Sequence, residues 1–340
     1  MKFAFDGNRE KNLSESIKTY SMRIAGGHNW NFMATEEEMT LVERIASMME
    51  LESKVVGSSP RLIVTGGGRY KKSRGAPIGR LDGYMREGLP RGGWRSRDCG
   101  ALRAWFHEER EDVVFETFRD TKNKRELDHI YLCLFPVYRK VFQSGGMTVH
   151  AALVEWNGKG IIIAAKSQTG KSTSCRRLPS PWKVLGDEEA IVVRDHQGSY
   201  LAHPFPTWSD YYERKLKKSW DVQRSVPLKA VFLLEQADRV EISPIGQGKA
   251  AIRLCHRAVE KAAMSWWCVG LEERKFLMEK LFVNACDLVT AIPTFILRTN
   301  LTGKFWEAME DVMVGLDEEA QVIGFKGKRE PCQVVAGKVT

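Results

Sequence analysis

The clearest chemical signal in this sequence is the stretch IIIAAKSQTGKSTS, which covers residues 161–174. It places Gly170, Lys171 and Ser172 shortly after an apolar segment. In phosphate-binding loops the backbone N–H groups surround an anion, the lysine reaches the outer phosphates, and the next hydroxyl binds Mg²⁺. Ala165 stands where the eight-residue pattern of such loops has its first glycine. The stretch therefore favours a phosphate site over an ordinary strand-to-helix turn, on an incomplete pattern.

A second signal is acidic. The segment WKVLGDEE ends in Asp187, Glu188 and Glu189, sixteen to eighteen residues after Lys171. A strand parallel to the one before the loop would bring these carboxylates beside Mg²⁺ and a γ-phosphate. Asp187 could then accept the proton of an attacking hydroxyl, and Glu188 could contact the metal. The alternative is a solvated acidic turn, which would be the better interpretation of this segment alone.

The third signal is His150, in the segment MTVHAALVEWNGKG. We expect this histidine on the hairpin strand next to the loop, as a candidate catalytic residue. A single histidine in an apolar strand is more often a core residue whose ring nitrogens are satisfied, so both interpretations stay open.

The composition is that of a globular protein. The chain has 340 residues, of which 43% are hydrophobic and 28% charged, enough for two ordinary domains or one large one. No apolar run reaches the roughly 18 to 20 residues of a membrane helix. The start, MKFAFDGNREKN, turns polar too soon for a signal peptide, so we expect a cytoplasmic protein. Seven scattered cysteines without a CxxC pair favour free thiols over disulfides or structural zinc.

The net charge of +9 points to anionic partners, which could be nucleic acid, phosphates or an acidic peptide. Much of this charge lies in residues 66–97, a Gly/Arg-rich segment that we expect to form a long loop, and in residues 211–220. Each segment could be only a solvated surface, although the first could also order around an acidic peptide. Nucleic acid is the weakest of these options, because the sequence contains no helix-turn-helix, RNA-recognition or zinc motif.

Residues 1–143 are predicted to form a smaller α+β domain. Alternation around a Gly-Gly pair predicts a hairpin over residues 18–35, and the apolar face of residues 36–52 predicts a helix. We also expect strands at residues 61–68 and 112–118, and a helix over residues 124–142 that is broken or kinked at Pro136.

Residues 144–322 are predicted to form a second domain, of mixed α/β type and rich in hairpins, followed by a tail at 323–340. This part lacks the regular βαβ alternation of a doubly wound sheet. We expect a turn at Asn157-Gly158, three strands within residues 182–206, strands at 228–236 and 294–300, and helices at 172–178, 248–265, 271–289 and 303–316.

Together the three signals resemble the HPr kinase/phosphorylase family. The block VHAALVEWNGKGIIIAAKSQTGKST matches the family's loop block in spacing, and KVLGDE falls where the family has a strand ending in two acidic residues. Weaker similarity at residues 202–208, 226–236 and 292–310 resembles a bacterial branch of kinase-like proteins encoded with peptide-modification machinery. The resemblance covers about residues 130–312.

The resemblance implies a P-loop domain of mixed α+β type, related to phosphoenolpyruvate carboxykinase, that uses ATP and Mg²⁺. The γ-phosphate would pass to a hydroxyl, usually a serine of a peptide or small protein. Lys171 would hold the outer phosphates, Ser172 and Glu188 would contact the metal, Asp187 would be the base, and His150 would lie beside the phosphates. The resemblance also implies a nucleotide-binding loop made of Ser167, Gln168, Thr169, Gly170, Lys171, Ser172 and Thr173.

Three positions depart from the family pattern: Ala165 and Gln168 replace glycines, and Glu188 replaces the second aspartate. A side chain at position 168 restricts the backbone if that position needs a positive φ. These departures keep a second hypothesis open, a nucleotide-binding scaffold subunit without kinase activity. Other enzymes of a peptide-modifying cassette are expected partners, and the chain could form homo-oligomers.

Overall fold

A computed structural model describes residues 18–66, 81, 88–100, 102–118, 126–208 and 218–326 of the chain. Most of the Gly/Arg-rich segment 66–97, most of the second basic run 211–220 and residues 327–340 lie outside the described residues. The described part is a mixed α/β protein with two sheets. None of its helices combines the length and apolar character needed to cross a bilayer.

The first sheet has six strands in the order β1-β2-β3-β6-β5-β4. Its three inner neighbours β2, β3 and β6 run parallel, and the outer pairs are antiparallel. One helix, α1, follows β2 and buries its apolar face against this sheet. The elements are β1 (Tyr20–Met22), β2 (Trp30–Ala34), α1 (Met39–Met48), β3 (Arg61–Gly66), β4 (Trp94–Asp98), β5 (Leu102–His107) and β6 (Val113–Thr117).

The local expectations for this part are largely confirmed. The hairpin over 18–35 is β1 and β2, joined through a short 3₁₀ turn (Ala25–Gly27) in which both glycines have positive φ. The expectation of a long loop over 66–97 is wrong at both ends, since Gly66 closes β3 and Trp94 opens β4. The strand Trp94–Asp98 was missed because its exposed charged residues hide the alternation of a half-buried strand.

Two helices, α2 (Glu126–Cys133) and α3 (Phe135–Gln143), connect the sheets. The predicted break is confirmed. Pro136 lies in the first turn of α3, where its missing N–H costs no helical hydrogen bond. The residues of α3 that face inward are almost all apolar and buried.

The second sheet has nine strands. Seven follow the path β10-β8-β9-β13-β12-β11-β7, β15 pairs with β13, and β14 pairs with β15. The strands β9, β13 and β15 run parallel, and the other pairs are antiparallel. The strands are β7 (Met147–Val149), β8 (Ala151–Trp156), β9 (Lys159–Ala164), β10 (Lys183–Gly186), β11 (Glu189–Arg194), β12 (Tyr200–Phe205), β13 (Val226–Gln236), β14 (Glu241–Pro244) and β15 (Thr294–Thr299).

The helices of this part are α4 (Lys171–Arg177), α5 (Gln247–Lys261), α6 (Leu271–Ala291) and α7 (Phe305–Lys326). The predicted turn at Asn157-Gly158 is confirmed, with φ of 51° and 77°, as expected of a tight hairpin turn. The predicted tail starts too early, because α7 continues through residues 323–326. The strand β14 was not predicted.

The largest buried apolar cluster is continuous across both sheets and joins residues such as Phe32, Phe115, Tyr138, Val192 and Leu281. Polar contacts cross the same boundary: the backbone N–H of Ala25 donates to Nε2 of His203 over 3.1 Å. The turn between α3 and β7 is the place where the predicted domains meet. Because the core continues across it, the division into two domains remains a prediction.

Candidate functional site

The predicted phosphate loop, residues 165–170, connects the end of β9 to the start of α4. Ala165, the residue in place of the first glycine, is buried in a second apolar cluster with Ile163 and Phe232. Ala165 is not among the residues with positive φ. Its methyl group therefore causes no left-handed strain and adds to the packing under the loop.

Gln168 is the position where the lost glycine matters. Its φ is 65°, in the left-handed region, and its side chain is exposed. A residue with a Cβ costs roughly 1–2 kcal/mol in this conformation. Gly170, with a φ of 96°, retains the residue type that such a conformation favours. Gln236 secures the loop by donating from Nε2 to the Thr169 carbonyl over 3.3 Å.

Lys171 is 8% exposed, and its Nζ donates to the backbone carbonyl of Asp187. Burial lowers the pKa of Lys171, and the nearby Asp187 carboxylate opposes that shift. The carboxylate itself accepts a hydrogen bond from Oγ1 of Thr207, with 2.6 Å between the oxygens. The predicted lysine and the predicted base are therefore brought together, and Thr207 orients the base.

The sheet explains why residues sixteen apart meet. The strand β10, which leads into Asp187, pairs antiparallel with β8, and β8 pairs antiparallel with β9. Thus β10 runs in the same direction as β9, and both strands end at the same edge of the sheet. The predicted parallel relationship is confirmed, with one hairpin strand between the two.

The two glutamates after Asp187 are held by one lysine from α5. Nζ of Lys261 lies 2.8 Å from Oε1 of Glu188 and 3.4 Å from Oε2 of Glu189. Glu189 is fully buried and also accepts from Nε1 of Trp208 over 2.7 Å. Burial raises the pKa of Glu189, and Lys261 is the strongest influence that opposes this shift.

His150 lies between β7 and β8, so the expectation that it is part of a strand is wrong by one position. Its backbone N–H donates to the Arg257 carbonyl over 3.3 Å, and the next residue, Ala151, donates to the Glu188 carbonyl over 3.1 Å. Burial, followed by the charges of Lys171 and Lys261, lowers the pKa of His150 to about 4. The ring is therefore neutral at pH 7.

A cavity of about 610 Å³ lies beside the loop, between the loop and α5. Three of the predicted loop residues, Ser167, Gln168 and Thr169, line it. The opposite wall is the side of α5 that carries Arg253 and Arg257. Arg257 is 8% exposed and donates from Nη1 to the Ala165 carbonyl over 3.5 Å. The cavity thus has the loop on one side and two arginines on the other, and these arginines are paired with Glu235 and Glu260 at 2.6 and 2.7 Å.

The remaining predicted residues lie away from the lining of this cavity. Ser172 and Thr173 are half-buried in the first turn of α4, and Oγ1 of Thr173 accepts from Arg176 over 3.4 Å. The acidic turn with Asp187 and Glu188 lies at the end of the Lys171 side chain, and His150 lies close to the same lysine. The predicted residues therefore form two groups joined by the loop and Lys171.

Four residues of this arrangement were not predicted: Thr207, Trp208, Arg257 and Lys261. Thr207 and Trp208 lie in AHPFPTW, a phrase singled out only for its resemblance. Arg257 and Lys261 come from α5, which starts at Gln247, far along the chain from the acidic turn at residues 187–189. A buried glutamate requires a cation or a hydrogen-bond donor, but the sequence does not show which lysine supplies it.

The fit of a metal ion can be judged from the donors. Within the described parts of the chain, no group of three or more His, Cys, Asp and Glu side chains could hold a metal on its own. Magnesium in nucleotide sites needs only one or two carboxylates, because phosphates and water complete its shell. Asp187 and Ser172 are hard oxygen donors of that kind, whereas Glu188 is already engaged by Lys261.

The fold and the site define a class: a mixed α/β protein in which a strand–loop–helix unit buries a lysine against an acidic turn. The model of the family described as SynChlorMet cassette protein ScmC matches residues 113–314, more than half of the chain. The chain belongs to the ScmC family. The match begins at the first residue of β6, so it includes β6, α2, α3 and every site residue named above. A search of curated proteins finds no match.

Proposed function

We propose that this protein is an ATP-dependent phosphotransferase that passes the γ-phosphate to a serine or threonine hydroxyl of a peptide or small protein. The observation that carries the proposal is the buried contact between Lys171 and the backbone of Asp187 at the end of the loop. A lysine that can bind phosphate and a carboxylate that can accept a proton meet there, as phosphoryl transfer requires. The finer fold assignment, an HPr-kinase-like domain related to phosphoenolpyruvate carboxykinase, belongs to the same proposal.

The proposed roles follow from the positions of the side chains. Lys171 neutralises the outer phosphates, and the backbone of residues 165–170 binds them. Ser172 would hold Mg²⁺, which would neutralise charge on the phosphates, and phosphate and water oxygens would complete its shell. Asp187, oriented by Thr207, takes the proton of the acceptor hydroxyl. The acceptor oxygen bonds to the γ-phosphorus as the bond between the γ-phosphorus and the β–γ bridging oxygen breaks. ADP and the phosphorylated acceptor leave.

His150 and Arg257 complete the proposed site. The neutral ring of His150 is a hydrogen-bonding neighbour for the phosphates, and Arg257 is a fixed cation behind the loop. The proposed partners are a peptide substrate and other enzymes of the cassette that the family description names. We propose a cytoplasmic location, where ATP is available.

The test is transfer of radiolabelled γ-phosphate from ATP to candidate acceptor peptides. Asp187→Asn should abolish transfer and leave ATP binding within a few fold, because the amide keeps the shape but accepts no proton. Lys171→Met should weaken ATP binding itself. The matched control is Asp195→Asn, since Asp195 caps an exposed turn remote from the loop. Full transfer by Asp187→Asn would refute the proposed base.

One observation favours a second candidate, a nucleotide-binding scaffold without transfer. Glu188, the second acidic residue, is occupied by Lys261 over 2.8 Å, and Gln168 holds the loop in a strained conformation. A scaffold would bind ATP with the wild-type loop and show no transfer to any acceptor. Lys171→Met would weaken that ATP binding, and Asp187→Asn would leave it unchanged. The two variants therefore separate the candidates in one set of measurements.

A further inference from the structure

We infer that the free edge of β4 is a docking site for an extended peptide with acidic residues at alternate positions. The strand β4 (Trp94–Asp98) is the last strand of the six-stranded sheet, and no second strand pairs with it in the described parts of the chain. Four of its five residues are exposed. An exposed edge of this kind is a template for strand addition by another chain.

The hydrogen-bond phase of β4 shows which backbone groups point outward. The Gly93 carbonyl accepts from Glu108 over 2.9 Å, and the Cys99 N–H donates to the Leu102 carbonyl over 2.8 Å, so odd-numbered residues face β5. In an antiparallel pair the alternate residues point the other way. The N–H and C=O groups of Trp94 and Ser96 therefore point away from β5, in the direction that an added strand needs.

The side chains beside this edge select the chemistry of the partner. Arg95 and Arg97 project from one face of β4, next to a groove of about 380 Å³ that also contains Arg139. Two of these arginines have glutamate partners, Arg95 with Glu108 and Arg139 with Glu273, at 2.6 and 2.7 Å.

Arg97 is the third arginine of this groove. No carboxylate is paired with it among the described residues, and its guanidinium lies against Gly270 at the start of α6. A carboxylate of the added strand would pair with Arg97. Its neighbour two positions along the added strand would lie beside Arg95, which has Phe106 of β5 on its other side. An acidic strand is therefore favoured over a neutral or basic one.

The test uses Ser96, whose N–H points away from the sheet. Ser96→Pro removes that N–H and places a ring at the edge, a position where sheets tolerate proline. Ser96→Thr keeps the N–H and is the matched control. The probe is fluorescein-labelled Glu-Val-Glu-Val-Glu-Val-Glu, and its isomer Glu-Glu-Glu-Glu-Val-Val-Val has the same charge without alternation. Binding is followed by fluorescence anisotropy.

We expect the alternating peptide to bind the wild type and Ser96→Thr alike, and Ser96→Pro about tenfold or more weakly, as loss of an interfacial hydrogen bond and of close approach implies. If Ser96→Pro does not fold, peptide binding is compared between Arg97→Glu, which reverses the charge at the edge, and Arg97→Lys, which keeps it. Equal binding of both peptides, or no effect of both Ser96→Pro and Arg97→Glu, would overturn the inference. Binding of a single-stranded oligonucleotide in place of the peptide would also overturn it.

Phosphate transfer is measured on the same variants. The inference does not depend on catalysis, because Ser96 and Arg97 lie on the other sheet from the phosphate loop. Loss of peptide binding with ATP binding unchanged supports the docking edge, whatever the outcome of the transfer assay. Parallel loss of both functions in Ser96→Pro would show a folding defect, and the decision then rests on the Arg97 pair.

Discussion

Nζ of Lys261 lies 2.8 Å from Oε1 of Glu188 and 3.4 Å from the fully buried carboxylate of Glu189. One side chain from α5 thus contacts both acidic residues that follow the proposed base. Lys261 stabilises both carboxylates, because Glu189 has no access to solvent and Glu188 has little, and the Trp208 N–H also donates to Glu189. The position of the acidic turn is therefore coupled to the end of α5, and through it to the cavity wall that carries Arg257.

Lys261→Met should destabilise the protein by about 3–5 kcal/mol at pH 8, because it leaves a buried carboxylate without its cation. The loss should be smaller at pH 5. A raised pKa means that the folded state holds the Glu189 proton more tightly than the unfolded state does. Ionisation of this carboxyl therefore lowers the stability of the folded state as the pH rises. Urea denaturation at the two pH values measures this difference.

Two further variants control this experiment. Lys261→Arg keeps the charge and should retain most of the stability. Combining Lys261→Met with Glu189→Gln removes both charges and should recover part of the loss, since an amide is cheaper to bury than a carboxylate. A destabilisation that is equal at pH 5 and pH 8 and unrelieved in the double variant would contradict the proposed coupling.

Gln168→Gly should stabilise the protein by about 1 kcal/mol, because glycine removes the left-handed strain at a φ of 65°. Gln168→Ala is the control, since it keeps a Cβ and should leave stability nearly unchanged. Thermal or urea denaturation measures both. If Gln168→Ala stabilised as much as Gln168→Gly, the side chain rather than the backbone conformation would be the cause.

The parts of the site encoded by local sequence could be predicted. The apolar run of β9, the Gly-Lys-Ser triplet and the tight turn at Asn157-Gly158 each carry their signal within a few residues. The strand leading to Asp187 was predicted from its apolar residues and its acidic end, and a direction parallel to β9 was the condition for its carboxylates to reach the phosphates. What the sequence could not show is that β8 lies between β9 and β10.

The missed features depend on contacts distant in the chain. Lys261 is one of many lysines in the sequence, and only the packing of α5 against β7 and α6 places it at the acidic turn. The strand β4 was missed for the opposite reason, since its exposed Arg95 and Arg97 make a strand look like a loop. Burial, which decides both cases, is not a local property of the sequence.

The low pKa of His150, about 4, predicts a loss of stability in mild acid. The unfolded histidine takes up its proton near pH 6.5, whereas the folded one does so only near pH 4. Stability is therefore complete above about pH 6.5 and should fall by up to about 3 kcal/mol as the pH drops to 4. His150→Asn should reduce this slope in denaturation experiments at pH 7 and pH 5.

His203 provides an internal comparison, because burial also lowers its pKa to about 4. The part of the pH dependence of stability that comes from His203 should persist in the His150→Asn variant. If a phosphate group binds beside His150, nucleotide should raise the pKa of His150 and leave that of His203 unchanged, since His203 lies between the two sheets. Titration by NMR with and without ATP measures both rings. A His150 pKa that does not respond to ATP would place the phosphates elsewhere.

Thr207→Val should lower kcat for phosphate transfer by roughly tenfold with little change in KM for ATP, because it removes the hydrogen bond that orients Asp187 but keeps the shape of the side chain. Thr207→Ser retains a hydroxyl and should keep most of the activity. Both variants should bind ATP normally, since Thr207 contacts Asp187, the proposed base, and not the loop. Equal activity of Thr207→Val and the wild type would show that Asp187 needs no such orientation, and a parallel loss of ATP binding would show that Thr207 supports the loop instead.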